Sequence, residues 1–201
     1  MAKPAEVSKS LKPLPVPFWD RDTVNIAKDV IGKVLVSTLG GIWTSGRIVE
    51  TEAYITGDAA CHAFKGETKR NAAMFGPPGT AYVYLIYGVH WCLNLVTCPR
   101  GRGEAILIRA LEPLEGLEVM AERRGCGDSR ALLSGPGKLC QAMAITAAQN
   151  GLSLNTPPLM LLDDGFDSGP LIARPRVGLT KNAEVPWRFY PEISARWVSR
   201  K

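Results

Sequence analysis

Between residues 47 and 54 the chain reads Arg47-Ile48-Val49-Glu50-Thr51-Glu52-Ala53-Tyr54, a β-branched segment with two acids and an aromatic at alternate positions. Strand side chains alternate with period two. Glu50, Glu52 and Tyr54 are therefore expected on one face, and Val49, Thr51 and Ala53 on the other. Carboxylates on a half-buried sheet must be paired, solvated or used in chemistry, because an isolated ionised carboxylate is costly to bury. An edge strand with solvated acids is the plain alternative at this point.

The rest of the chain limits what can surround that strand. With 201 residues, 46% of them hydrophobic, it can build one ordinary core, so a single domain is expected. Lysine and arginine number 24 against 19 acids, a formal charge of +5. The basic residues are spread along the chain, which suits a folded surface for a polyanion such as nucleic acid. Five cysteines stand at irregular spacing without a Cys-x-x-Cys pair, which signals neither a disulfide framework nor a zinc ribbon. No metal or cofactor is expected. No apolar run has the roughly 18 residues that a membrane span requires, and no secretory signal is evident, so an intracellular protein without a membrane partner is expected.

Residues 1–17 carry Pro4, Pro13, Pro15, Pro17 and several charges, and read as a flexible arm before Phe18. A short helix is predicted from Asp22 to Ile31, and strands from Lys33 to Thr38 and Gly41 to Tyr54 about a Gly40-Gly41 turn. Gly57–Pro78 is polar and irregular, a length at which loops are commonly functional. Ala81–Ile86 and His90–Thr97 form a predicted hairpin with Tyr87-Gly88 at its tip, and Ala105–Leu111 a further strand. Helices are expected over Leu114–Arg124 and Leu139–Ala148, and late strands over Leu159–Leu162 and Ile172–Val177. The expected class is α+β: a central antiparallel or mixed, curved sheet flanked by helices, with a protruding hairpin.

Several residues resist a packing explanation. Tyr82 and Tyr84 share a strand face, whereas Tyr87 sits at the exposed tip, where an aromatic side chain could act as a wedge between base steps. Arg109 lies in an apolar run and needs a partner such as Glu52 or Glu112. Asn94, in Cys92-Leu93-Asn94, needs a backbone or ligand partner. His62 is one of only two histidines, in the long loop. Ser134-Gly135-Pro136-Gly137-Lys138 puts backbone N–H groups and a lysine at a helix start, suited either to phosphate or to ordinary capping; it is not a Walker motif.

Taken in order, Arg47–Tyr54, Gly79–Gly88, Cys92–Asn94, Leu107–Pro113, Ser134–Gln141 and Arg188-Phe189-Tyr190 resemble the alkyladenine (3-methyladenine) DNA glycosylases of mammals and many bacteria. The resemblance spans roughly residues 18–200 and implies one glycosylase domain over 18–201. It implies a monofunctional enzyme that flips alkylated or deaminated purines (3-methyladenine, 7-methylguanine, hypoxanthine, ethenoadenine) out of duplex DNA and hydrolyses the N-glycosidic bond, initiating base excision repair. By that likeness Glu52 is the general base and Arg109 helps hold the attacking water. Tyr54 and Tyr84 sandwich the base, His62 and the main chain near Ala60 line its edge, and Asn94 disfavours guanine's exocyclic amine. Tyr87 fills the gap left in the duplex, with Gly137 and Lys138 as further DNA contacts. The implied partner is damaged double-stranded DNA approached from the minor groove, by a monomer in the cytoplasm or nucleoid. Val89-His90-Trp91 departs from the aromatic and methionine pattern of the mammalian members. A non-catalytic module for distorted DNA is the competing reading, and it predicts indifference to Glu52→Gln.

Overall fold

Short apolar strands separated by glycine turns pair wholly antiparallel in the computed structural model, which describes residues 11–199. The strands are β1 (Lys12–Pro13), β2 (Val34–Ser37), β3 (Thr44–Tyr54), β4 (Ala81–Ile86), β5 (His90–Val96), β6 (Ala105–Glu115), β7 (Asn155–Thr156), β8 (Leu159–Asp163), β9 (Leu171–Arg174) and β10 (Arg188–Pro191). The sheet runs β1-β8-β2-β3-β6-β5-β4, with β10 joining β9 to the far half of β3 and β7 beside β8. It curls around its core as a half-barrel. The helices are α1 (Val16–Trp19), α2 (Thr23–Asp29), α3 (Leu117–Arg124), α4 (Ser129–Leu132) and α5 (Pro136–Ala142). The class is α+β, and no helix among the described residues is long and apolar enough to cross a membrane.

The main core gathers Ile26, Leu35, Ile48, Leu93, Leu95, Ile106, Ile108 and Leu139 from one sheet face and the helices against it. The hairpin alternates as its pattern requires: Ala81, Val83, Leu93 and Leu95 enter this core. Tyr82 and Tyr84, opposite Asn94 and Cys92, occupy the other face. The tip residues Tyr87 and Gly88 have φ of 54° and 72°, both left-handed, as a type I′ turn demands.

Differences from expectation have local causes. The described part of the N-terminal segment packs ahead of Phe18, because Lys12 and Pro13 pair with Asp163 and Leu162 and Leu14 is buried; residues 1–10 lie outside the described residues. The strand β6 continues through Pro113 to Glu115 before Gly116, with left-handed φ of 77°, turns it into α3, so that helix starts later than Leu114. The helix after Ser134 stops at Ala142, because Ala144 is left-handed and Thr146 opens a separate 3-10 turn with its own capping box. Val49 does not join the core face. In the β3–β6 ladder Ile48 faces Leu111, Glu50 faces Ala110 and Thr51 faces Ile108, leaving Val49 and Arg109 without opposite residues. Each is an extra residue that breaks the alternation. Ile48 thereby enters the main core, and Val49 packs with Ala110 and Trp197.

Candidate active site

Beyond those two bulges the period-two rule resumes, and Glu50, Glu52, Tyr54, Leu107 and Arg109 lie on the sheet face opposite the main core. Arg109 meets both acids: Nη1 is 3.3 Å from Glu52 Oε2, and Nε is 3.4 Å from Glu50 Oε1. Both carboxylates are 0% exposed, so they are not the solvated acids of an edge strand. Glu112 pairs with Arg196 instead, at 3.8 Å.

Glu52 is held by three groups from three parts of the chain. The Val177 N–H donates to Oε1 at 2.7 Å, the Tyr54 hydroxyl donates to Oε2 at 2.9 Å, and Arg109 faces Oε2. A carboxylate can accept about four hydrogen bonds, so this arrangement leaves capacity for one more donor. Burial, followed by the Glu52 charge and its hydrogen bond, holds the Tyr54 phenol well above the usual tyrosine range, and Tyr54 is therefore a donor at neutral pH.

A cavity of about 570 Å³ opens over this floor. Tyr54, Tyr84, His62, Ala60, Asn94 and Arg109 line its interior, and Tyr87, Gly137 and Lys138 are also part of its wall. Residues separated widely in sequence therefore converge on one space, with Glu52 behind Arg109 and Tyr54. Its size is that of an ordinary small-molecule site.

The walls are mostly aromatic and uncharged. His62 packs edge-on against Tyr84, with ring centroids 4.5 Å apart, and its Nδ1 shares a 3.0 Å hydrogen bond with the Tyr82 hydroxyl. Burial, aided by the charge of Arg70, lowers the His62 pKa, which favours neutral imidazole. Burial likewise pushes the Tyr82 phenol up to about 12. Asn94 donates Nδ2 to the Tyr82 carbonyl at 3.0 Å, which fixes the orientation of its amide. The Ala60 N–H is already bonded to Asp58 Oδ1 at 3.0 Å and is not free for a ligand.

Sequence reasoning missed the support behind these walls. The Arg176 guanidinium stacks 4.6 Å from the Tyr54 ring centroid and 5.2 Å from that of Trp187, donates to the Ala53 carbonyl at 3.0 Å and pairs with Asp58. Asp58 in turn takes a bond from Asn182 at 2.8 Å. Ser199 was also missed. Its N–H donates to Glu50 Oε2 at 2.7 Å, and its Oγ accepts from Arg109 Nε and Nη2 at 3.3 and 3.2 Å. Arg188, noticed only within a matching block, reaches Glu50 at 3.5 Å. The adjacent Arg174-Pro175-Arg176 was the available signal, since two arginines near an apolar strand need partners.

At the tip, Tyr87 is 84% exposed and Val89 is 69% exposed. A Cβ on Gly137 would come within 3.0 Å of His90 Cβ, so glycine permits the close approach of α5 to β5. Lys138 Nζ is 3.5 Å from Ser134 Oγ.

Comparison with known proteins places nearly all of the described chain in one family. The family model described as methylpurine-DNA glycosylase matches residues 17–195. A protein of Methanoculleus marisnigri bearing the name "Putative 3-methyladenine DNA glycosylase" is 50% identical over 192 residues, covering 94% of this chain and 99% of its own. Relatives of the same name from Nitrosospira multiformis (50% identity; 85% of this chain and 86% of theirs) and Rhodopseudomonas palustris (52%; 86% and 84%) are similar.

Proposed function

From the premise that the chain belongs to the methylpurine-DNA glycosylase family, we propose that its aromatic cavity receives a single damaged purine flipped from duplex DNA and that Glu52 directs water onto the glycosidic bond. The observation that carries this reading is the fully buried Glu52 paired with Arg109 on the floor of a cavity walled by Tyr54 and Tyr84. A carboxylate so placed would accept a proton from water as the anomeric carbon is attacked, and its charge would stabilise an oxocarbenium-like transition state. Arg109 faces both the cavity and Glu52, so it would orient the same water.

Selection of damage follows from stacking and charge. Flipping costs a few kcal/mol, and stacking on an aromatic wall returns about 1–3 kcal/mol per base. A cationic alkylpurine gains roughly 0.5–2 kcal/mol more over such a face. Neutral His62 adds no opposing charge. The substrate range then includes 3-methyladenine and 7-methylguanine, with hypoxanthine and ethenoadenine as neutral substrates excised through leaving-group quality and fit. Asn94 would disfavour undamaged guanine through its exocyclic 2-amine, a penalty that 7-methylguanine would offset by its positive charge over the aromatic wall and its better leaving group.

Tyr87, raised on the hairpin, would enter the duplex from the minor groove and occupy the vacated position, with Gly137 and Lys138 beside the backbone. The enzyme would act as an intracellular monomer without metal or cofactor. Duplexes carrying hypoxanthine or 3-methyladenine, treated with alkali after incubation, should break at abasic sites. Glu52→Gln should retain lesion binding and lose excision; excision at the wild-type rate by that variant would remove Glu52 from the role of base.

A further inference from the structure

Of the three register shifts in the β3–β6 ladder, the two in its middle coincide with charged residues, because they fall at Val49-Glu50 and at Arg109. Bulges re-aim side chains next to functional sites. Here they bring Glu50 and Arg109 together beside Glu52, although a two-residue pair needs only one carboxylate. The second acid therefore calls for a task of its own.

The Arg109 fork is divided between two sides. Nη1 faces Glu52, while Nε and Nη2 donate to Ser199 Oγ, and Nε also lies near Glu50. Ser199 is itself fixed, because its N–H is bonded to Glu50 Oε2. Glu50 thus holds the serine that holds the arginine, and adds a charge beside the same guanidinium. Arg188 Nη1 lies 3.5 Å from Glu50 Oε1, the same oxygen that faces Arg109. Ser199 also lines the cavity, so the contact lies at the floor of the site.

We propose that Ser199 and Glu50 are positioning residues that lock the Arg109 guanidinium in the plane where Nη1 meets Glu52 and the attacking water. The inference rests on the proposed roles of Glu52 and Arg109. Glu50 does no proton transfer; its carboxylate is turned toward Ser199, Arg109 and Arg188.

The test is single-turnover release of 3-methyladenine from dimethyl-sulfate-treated duplex DNA by the full chain, with Kd for a tetrahydrofuran abasic-site duplex measured alongside. Removing a hydrogen bond to a charged group predicts a loss of about tenfold or more in the release rate of Ser199→Ala, with duplex Kd within about twofold of wild type. Ser199→Thr keeps the hydroxyl and should stay within about threefold of wild type, while Glu50→Gln should lose rate as Ser199→Ala does. In an Arg109→Lys background, which lacks the planar fork, Ser199→Ala should cost no more than about threefold. Thermal melting of each variant separates misfolding from mispositioning, and Ser199→Ala should melt within a few degrees of wild type. A wild-type rate for Ser199→Ala, a loss confined to Kd, or an undiminished loss in the Arg109→Lys background would each overturn the proposal. If wild type releases base and Glu52→Gln does not, such a result leaves the proposed function standing; absence of release by folded wild-type protein would instead defeat the proposed function.

Discussion

The Tyr54 hydroxyl donates a 2.9 Å hydrogen bond to Glu52, two positions earlier on the same strand, so a cavity wall and the buried carboxylate form one unit. Alternation makes them neighbours on one face, and burial keeps the phenol protonated as the donor. Tyr54→Phe keeps the ring and deletes only this bond. The expected outcome is a release rate reduced roughly tenfold with little change in lesion affinity, since a hydrogen bond to a charged group is worth about 1.5–3 kcal/mol. Single-turnover kinetics with parallel binding titrations check both halves.

The second prediction concerns the support behind that wall. Arg176 and Asp58 have fully buried side chains, and removing one partner strands the other charge. Asp58→Ala should therefore destabilise the protein by about 3–5 kcal/mol. Arg176→Met combined with Asp58→Leu should cost less than Asp58→Ala alone, because no charge is left buried. Urea unfolding of the single and double variants decides it.

At the hairpin tip, fold and function should pull in opposite directions. Tyr87 holds a φ of 54° that costs a side-chain-bearing residue about 1–3 kcal/mol. Tyr87→Gly should raise the melting temperature by about 2–4 °C, on the basis that roughly 1 kcal/mol is worth that much in a domain of this size. The same variant should bind and excise from duplex DNA less well. Lower excision without a rise in melting temperature would separate the wedge from the strain.

Acid sensitivity should be traceable to Asp164. The Arg47 guanidinium, bonded to it at 3.0 and 2.8 Å, holds its carboxyl below the usual range, with a further bond from the Phe166 N–H. Because the folded-state pKa is depressed, this stabilisation is fully present above the unfolded value near 4 and is lost as pH falls through the lowered value. Asp164→Asn should melt about 4–8 °C below wild type at pH 7, a loss of about 2 kcal/mol. The gap should close toward pH 2. Glu50 has the opposite sign: burial, opposed by Arg109 and Ser199, raises its pKa, so this carboxylate stabilises less once it ionises.

Much of this site was legible because it follows local rules. Alternation placed Glu50, Glu52 and Tyr54 on one face, and two β-branched and aromatic runs meeting at Tyr87-Gly88 made the hairpin readable. The resemblance assembled Tyr84, His62, Asn94 and Arg109, which the structure brings into one cavity. What escaped depends on long-range closure. The bulges at Val49 and Arg109 exist only because two strands are paired, and neither strand shows an extra residue by itself. Val177, Arg176 and Ser199 reach Glu52, Asp58 and Glu50 across sequence separations of 125, 118 and 149 residues, beyond any periodic signal. Arg176 and Val177 read as the end of a late strand, which gives no sign of what they reach, whereas the observed strand already ends at Arg174; the stretch around Ser199 shows no strand or helix pattern.

Those separations set an order of events during synthesis. Arg109 precedes the hydroxyl that receives it by 90 residues. At about 5–20 residues per second the ribosome needs on the order of 5–20 s to cross that interval. Once β6 is complete, it can pair with β3 for the remainder of that interval, with Arg109 between its two carboxylates but ungripped on its third side. The nascent enzyme is thus a scaffold with its chemistry unfinished, and its competence arrives late.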